Sequence, residues 1–257
     1  MKSVDLNSDL GESFGAYKIG NDENVLEYIS SANIACGYHA GDHNVMMKTV
    51  VLAKKLGVSI GAHPGFPDLG GFGRREMKLS PDEVFNLVAY QIGAIQGVAN
   101  VHQTKVHHVK PHGALYNLAA KDPAIANAIA NAVYAVNPEL TLYGLAGSEL
   151  IKAGRERGLT VAQEVFADRT YQPDGTLTPR SEPNAMIHNA DQAVARVVRM
   201  IDEQQVKAVN GEDIAIQADT ICVHGDEPEA LQFVQQLRER LLNEGIRIQR
   251  VGVNAHV

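Results

Sequence analysis

No run of lysine or arginine in this chain exceeds two residues, and the formal net charge over 257 residues is -7. Nucleic-acid binding requires a concentrated basic face, so that class is set aside. No apolar stretch approaches the ~20 residues of a membrane span. The opening MKSVDLNSDL lacks an apolar leader, and the expectation is a cytoplasmic protein with no membrane partner. Cysteine is scarce: Cys36 and Cys222 are expected to be free, small buried residues, with a catalytic thiol as the sharper alternative. No GxxxxGK[ST] occurs and no GxGxxG follows a strand, so the common nucleotide loops are missing. There is no internal repeat, low-complexity tract or linker.

What the chain does have is a recurring unit. Short apolar runs of strand type end in polar clusters and are followed by helical patterns. The clusters are DLNSDLGE from Asp5, CGYHAGD from Cys36, GAHPGFPD from Gly61 and KPHGALY from Lys110, then the weaker LAGSE from Leu145, EVFADR from Glu164 and CVHGD from Cys222. A β/α alternation with polar residues at one end of each strand is how a (β/α) barrel builds an active site on the C-terminal face of its strands. One barrel domain over 1–257 is expected, with 45% hydrophobic residues to fill it. Strands are read at 3–7, 32–36, 58–62, 106–110, 140–145, 160–165 and 219–223, and an eighth run, Ile246 to Val251, could close the barrel or pack at its edge. Ser80-Pro81-Asp82-Glu83 reads as a capping box, Asp122-Pro123 as a helix start, and Asp42 and Gly57 as the two ends of another helix. The segments Gly61–Leu79 and Phe166–Ile187 are too long and irregular for plain connections and read as lids over the site.

Five of the ten histidines, His39, His43, His63, His112 and His224, fall in strand-end clusters; His102, His107, His108, His188 and His256 do not. Converging from four strands, such residues suit proton transfer or metal ligation. Asp5, Asn7, Asp9 and Glu12 lie on or just after the first strand, where alternate residues share a face. His39 and His43 form an HxxxH pair, a weak metal signal because only a continuous helix guarantees a shared face. Lys110 precedes Pro111, which pushes it to an extended conformation at the strand end. An inward lysine there needs an anionic substrate group, or a structural partner such as Glu164 or Asp168. GGFGRR at Gly70 could hold an anion through backbone N–H groups and guanidinium forks.

Taken in order, DLNSDLGE, SANIACGYHAGD, GAHPGFPD with FGRR, VKPHGALYN, GLAGSEL, EVFADRTYQPDGTLTPRS and CVHGD resemble the LamB/YcsF family, the A component of prokaryotic ATP-dependent 5-oxoprolinase. The resemblance runs from Val4 to about Asp226. It implies a deformed seven-stranded (β/α) barrel of the glycoside hydrolase/deacetylase type. It also implies ring opening of 5-oxoproline to L-glutamate with hydrolysis of ATP, Mg2+ accompanying the nucleotide, and the B and C components of 5-oxoprolinase as partners. At matching motif positions stand Asp5, Asn7, Asp9, Glu12, His39, Asp42, His63, Arg75, Lys110, His112, Asp168, Arg169, Arg180, His224 and Asp226. His43 departs from the family pattern, and no tightly bound metal is expected. Within this reading Asp9 or His112 activates water, and His63 and His224 protonate the leaving ring nitrogen. Lys110 and Arg75 hold the substrate carboxylate or a phosphate, with Asp168 and Arg169 orienting them. Asn7, Glu12, His39, Asp42, Arg180 and Asp226 complete the binding surface. The alternatives are a stand-alone metal-dependent deacetylase or amidohydrolase and a non-catalytic component that presents substrate.

Overall fold

A computed structural model describes residues 2–223 and 230–252. Seven parallel strands form a closed barrel: β1 (Ser3–Leu10), β2 (Ser31–Ala35), β3 (Ser59–His63), β4 (Val106–Val109), β5 (Thr141–Leu145), β6 (Val161–Phe166) and, after an intervening hairpin, β9 (Thr220–Cys222). Closure comes from β9, which pairs with β6 on one side and with Asp5–Asn7 of β1 on the other. The eighth run supplies only β10 (Arg247–Ile248), which pairs with Ser3 and Val4 before β9 takes over the same edge of β1. That shared edge is the deformation of the barrel. The seven expected strands are all present with ends shifted by a few residues at most.

Local signals place the helices. A single turn, α1 (Asp22–Val25), lies between β1 and β2. Asp42 caps α2 (His43–Leu56) by accepting from Asn44 and Val45 N–H, and Gly57 ends it in the left-handed region. Ser80 and Glu83 form the reciprocal capping box of α3 (Pro81–Val101). By length and composition α3 is apolar enough to cross a membrane. Its Val84, Leu87, Val88, Ile92, Ile95 and Ala99 are instead buried on one face, the stripe of a helix laid on a barrel. The short α4 (Gly113–Ala119) follows β4 at once, α5 (Pro123–Val136) starts at the Asp122 cap, and α6 (Glu149–Arg157) starts at Ser148. Helix α7 (Ala190–Asp202) buries Val194 and Val197, and α8 (Ala230–Asn243) follows β9.

One element has no counterpart among the expected strands: the antiparallel hairpin β7 (Gln205–Lys207) and β8 (Asp213–Ala215). Its strands are too short for a period-two signal, and Asn210-Gly211 at its turn, with Gly211 at φ 89°, is the only strong local cue.

Candidate active site at the barrel mouth

Strand β1 threads the barrel with Asp5, Asn7 and Asp9 on its inner face, and these residues build two layers. In the lower layer the polar side chains answer one another. Asp5 accepts from Ser30, Ser31, Thr220 and Tyr143 hydroxyls. Its carboxyl is pushed up by burial, against the pull of those donors. Asn7 donates to Thr220 Oγ1 at 2.7 Å and accepts from Asn33 at 2.7 Å. His108, which falls outside the strand-end clusters of the sequence, lies wholly inside the barrel. Its Nε2 is 2.8 Å from Asn33 Oδ1 and its ring stacks on Tyr143. Gly61 makes room for it: a Cβ there would lie 2.0 Å from His108 Nε2.

Asn33 also donates to Asp9 Oδ1 at 2.9 Å, which links the lower layer to the upper. There Lys110, just beyond the end of β4, extends the ladder through its N–H to Ala62 O and turns its ammonium inward. Lys110 Nζ meets Glu164 Oε1 at 2.8 Å, Asp9 Oδ1 at 2.9 Å, Asn7 Oδ1 at 3.2 Å and Cys222 Sγ at 3.1 Å. Burial alone would push Lys110 down, but the Asp9 and Glu164 carboxylates outweigh it and hold the ammonium charged. Of the two structural partners expected for it, Glu164 and Asp168, the ammonium takes Glu164, and Asp9 shares the role.

The histidines complete the layer. His63, the last residue of β3, has Nδ1 2.7 Å from the Lys110 carbonyl, and His112, the residue preceding α4, has Nε2 2.8 Å from the Phe72 carbonyl. A carbonyl oxygen only accepts, so each ring places its N–H there. The other two nitrogens, His63 Nε2 and His112 Nδ1, face each other at 2.9 Å. Asp9 Oδ2 is 3.2 Å from His63 Nε2, and Glu12 Oε1 is 3.9 Å from His112 Nδ1. His39 stacks on His112 with centroids 3.7 Å apart; neither of its nitrogens has a hydrogen-bond partner, and Glu12 Oε1 lies 3.6 Å from Nε2. Burial, reinforced by the neighbouring histidines, holds His39 and His112 well below the usual imidazole range. Glycine again permits the approach: Gly73, at φ 64°, would put a Cβ 2.7 Å from His39 Cβ.

A cavity of ≈ 370 Å³ opens above this layer, lined by Asp9, Glu12, His63, Lys110 and His112 at its floor. Its walls are apolar at Phe72, Leu145, Phe166 and Leu177, and Arg74, Lys121, Arg169 and Arg180 carry positive charge to it. The segment 61–79 packs down rather than overhanging: Phe66 is buried and the Phe72 carbonyl serves His112. The segment 166–187 forms one wall, where Arg169 donates to the Ala185 and Thr178 carbonyls.

Several expected site residues sit elsewhere. Arg75 points away into a paired, exposed bridge with Asp68, and its neighbour Arg74 lines the cavity instead. Asp42 is a helix cap whose second oxygen accepts from Gly15 N–H. Asp168 is buried but does not line the cavity. His43 is exposed at the start of α2 while His39 is buried, so the HxxxH pair does not act as a unit. His224 and Asp226 lie outside the described residues. Cys36 and Cys222 are free and buried, and burial pushes the Cys36 thiol up to about 12 and Cys222 well above its usual value, which disfavours the thiolate of both. Arg74 of GGFGRR, Tyr116 of KPHGALY and the Phe166 ring of EVFADR, which lies 5.6 Å from Lys110 Nζ, join the site although none of the three is among the residues expected in it.

The LamB/YcsF family model matches residues 4–256. The chain belongs to the LamB/YcsF family. Among relatives, the A component of 5-oxoprolinase from Oceanobacillus iheyensis is 64% identical over 247 residues, 96% of each chain. That of Bacillus subtilis is 58% identical over 252 residues, 98% of each. A crystal structure of a lactam utilization protein from Thermus thermophilus superposes with a TM-score of 0.91 at 46% identity, covering 97% of this chain and 99% of the other. The likeness in fold to that protein therefore extends over nearly the whole chain.

Proposed function

We propose that this chain is the A component of an ATP-dependent 5-oxoprolinase and that the lactam is opened at the barrel mouth. The observation that carries the reading is the His63–His112 pair, held by backbone carbonyls beside Asp9 and Lys110 on the floor of a cavity with a cationic rim. Relatives that carry the name of the 5-oxoprolinase A component over nearly the full chain support it.

A five-membered lactam is a poor electrophile and re-forms readily from glutamate. Transfer of the ATP γ-phosphoryl group to the amide oxygen gives an imidate phosphate and ADP. Water then adds at that carbon, the C–N bond breaks as the nitrogen takes a proton, and a second water hydrolyses the resulting acyl phosphate to phosphate and the carboxylate of glutamate. Asp9, beside His63 on the cavity floor, is placed to take the proton from water and return it to the nitrogen. Lys110 stabilises charge on the reacting oxygens, in a site where fixed charges act at low dielectric. Arg74, Arg169 and Arg180 hold the substrate carboxylate or the phosphate. ATP with its Mg2+ reaches the mouth with the B and C components, because this chain has no recognisable nucleotide loop. Those partners cover the mouth and shield the phosphorylated lactam from bulk water. A cytoplasmic location goes with this reading.

The test is reconstitution. The chain alone should show little turnover, and with the B and C components it should release glutamate in step with ADP. The second reading, a stand-alone metal-dependent amidohydrolase, is favoured by the gathering of Glu12, His39, His63 and His112, and turnover of an amide by this chain without ATP would establish it.

A further inference from the structure

From the convergence of donor atoms at the barrel mouth, we infer that this chain carries a site for a zinc-type divalent ion built by His63 Nε2, His112 Nδ1 and Glu12, with His39 as a further ligand. Ligand atoms of these four buried side chains all lie within 4.8 Å of one another. They come from the ends of β2, β3 and β4 and from the turn after β1. The site is therefore not the HxxxH pair suggested by spacing, since His43 is exposed and lies outside the cluster.

Three observations point to a cation. The first is the tautomer argument. With their N–H groups spent on the Lys110 and Phe72 carbonyls, neutral His63 and His112 aim two lone pairs at each other across 2.9 Å. Two acceptors at that distance repel unless a cation or a proton lies between or beside them. The second is the support behind the rings. An imidazole whose outer N–H is fixed by a backbone carbonyl is the usual arrangement of a metal-ligating histidine, because it sets ring orientation and raises ligand basicity. Here two rings have it. The third is His39, fully buried with neither nitrogen hydrogen-bonded. A buried imidazole without partners is costly unless something else occupies its lone pair.

Three imidazoles and a carboxylate suit Zn2+ and its borderline neighbours rather than Mg2+ or Ca2+, which take oxygen ligands. The geometry also says how loading proceeds. His39 and His112 are parallel within 4°, so both cannot direct an in-plane lone pair at one ion. His39 must tilt off the stack to ligate, and it should contribute less than His63, His112 or Glu12. An ion there would face the cavity beside Asp9 and Lys110, within reach of an amide oxygen or a bound water.

The competing arrangement is a proton: His63 as imidazolium, donating to His112 Nδ1 and paired with Asp9. Titration calorimetry of the chelator-washed full chain with Zn2+, in the absence of substrate and partners, separates the two. The same titration with Co2+ is followed by its visible absorption. The inference predicts a single ion per chain with sub-micromolar affinity and an intense low-symmetry Co2+ spectrum. Glu12→Gln and His112→Ala should each weaken Zn2+ by more than the ~10–100-fold typical of losing only an outer partner. His43→Ala should change nothing. Glu12→Gln is nearly isosteric, so it keeps the test open if His112→Ala does not fold; melting curves of the metal-free variants establish that. Wild-type affinity no tighter than that of the two variants, or affinity lost in His43→Ala, overturns the site. Because nothing in this measurement involves 5-oxoproline or ATP, it can fail while the proposed function stands, and the reverse.

Discussion

The two layers inside the barrel use the same residue types to opposite ends. In the lower layer Asn33, Asn7, Thr220 and Asp5 form a chain of hydrogen bonds that runs on to Tyr143 and Ser31 and ends at His108 Nε2, so that apart from His108 Nδ1 these side chains are answered by protein. In the upper layer His63 and His112 turn their answered nitrogens outward and leave lone pairs facing inward toward Asp9, Glu12 and a cavity. A satisfied polar network rigidifies a barrel. An incompletely satisfied one, positioned by that network, is where a substrate, a proton or an ion completes the count. Asn33 joins them, bonding His108 and Asn7 below and Asp9 above.

The comparison breaks most visibly at Lys110, which belongs to both layers. Replacing it with methionine leaves the Asp9 and Glu164 carboxylates buried without their counter-charge. A stability loss of about 3–5 kcal/mol is expected from denaturant unfolding, and Glu164→Gln in the same chain should return part of it. A Lys110→Met protein of wild-type stability would mean that the ammonium serves only ligands.

Substitutions one layer apart should divide stability from activity. His108→Ala strips Asn33 of a partner and should cost about 1–3 kcal/mol, while turnover by the assembled complex stays within a few-fold. His112→Ala should do the reverse, lowering turnover by roughly 100-fold or more with a small shift in melting temperature. Equal effects of the two on both readouts would erase the distinction.

Acid should act on both layers, because burial also holds His39 and His112 of the upper layer well below the usual imidazole range. Burial holds His108 well below the usual imidazole value of 6.5 and brings half-buried His107 to about 4. The unfolded chain binds these protons first. Stability from this source is therefore complete above pH 6.5 and declines as pH falls toward the folded values. Urea midpoints between neutral pH and pH 4.5 should fall more steeply for wild type than for His108→Gln.

The smallest expected effect lies at the rim. Arg74→Ala should raise the KM for 5-oxoproline several-fold with little change in kcat, while Arg75→Ala leaves both unchanged because its guanidinium is tied to Asp68. A KM change in Arg75→Ala instead would put the rim in a different place.

Much of this was legible in the sequence, for reasons that differ by element. The seven strands, the caps at Asp42, Ser80 and Asp122 and the inward alternation of Asp5, Asn7 and Asp9 follow from local periodicity and local hydrogen bonding. The β7–β8 hairpin is silent because strands of three residues carry no period. Arg74 and Arg75 are adjacent, and only the turn of Leu69–Gly71, with Phe72 in the left-handed region, decides which one faces the cavity. Asp42 looks like a site residue because a cap and a ligand present the same carboxylate at the same strand end. The gathering of Glu12 with three histidines from three strands has no spacing signature at all. Barrel closure creates it, and chain distance does not report closure.

The most direct test of the account is the turnover of Asp9→Asn. The change keeps the shape of the side chain that touches His63, Lys110 and Asn33 and removes its charge. With the B and C components present, wild type should form glutamate in step with ADP, and Asp9→Asn should fall by about 100-fold or more at nearly unchanged melting temperature. Wild-type turnover in Asp9→Asn would show that the upper layer, like the lower, only holds the barrel together.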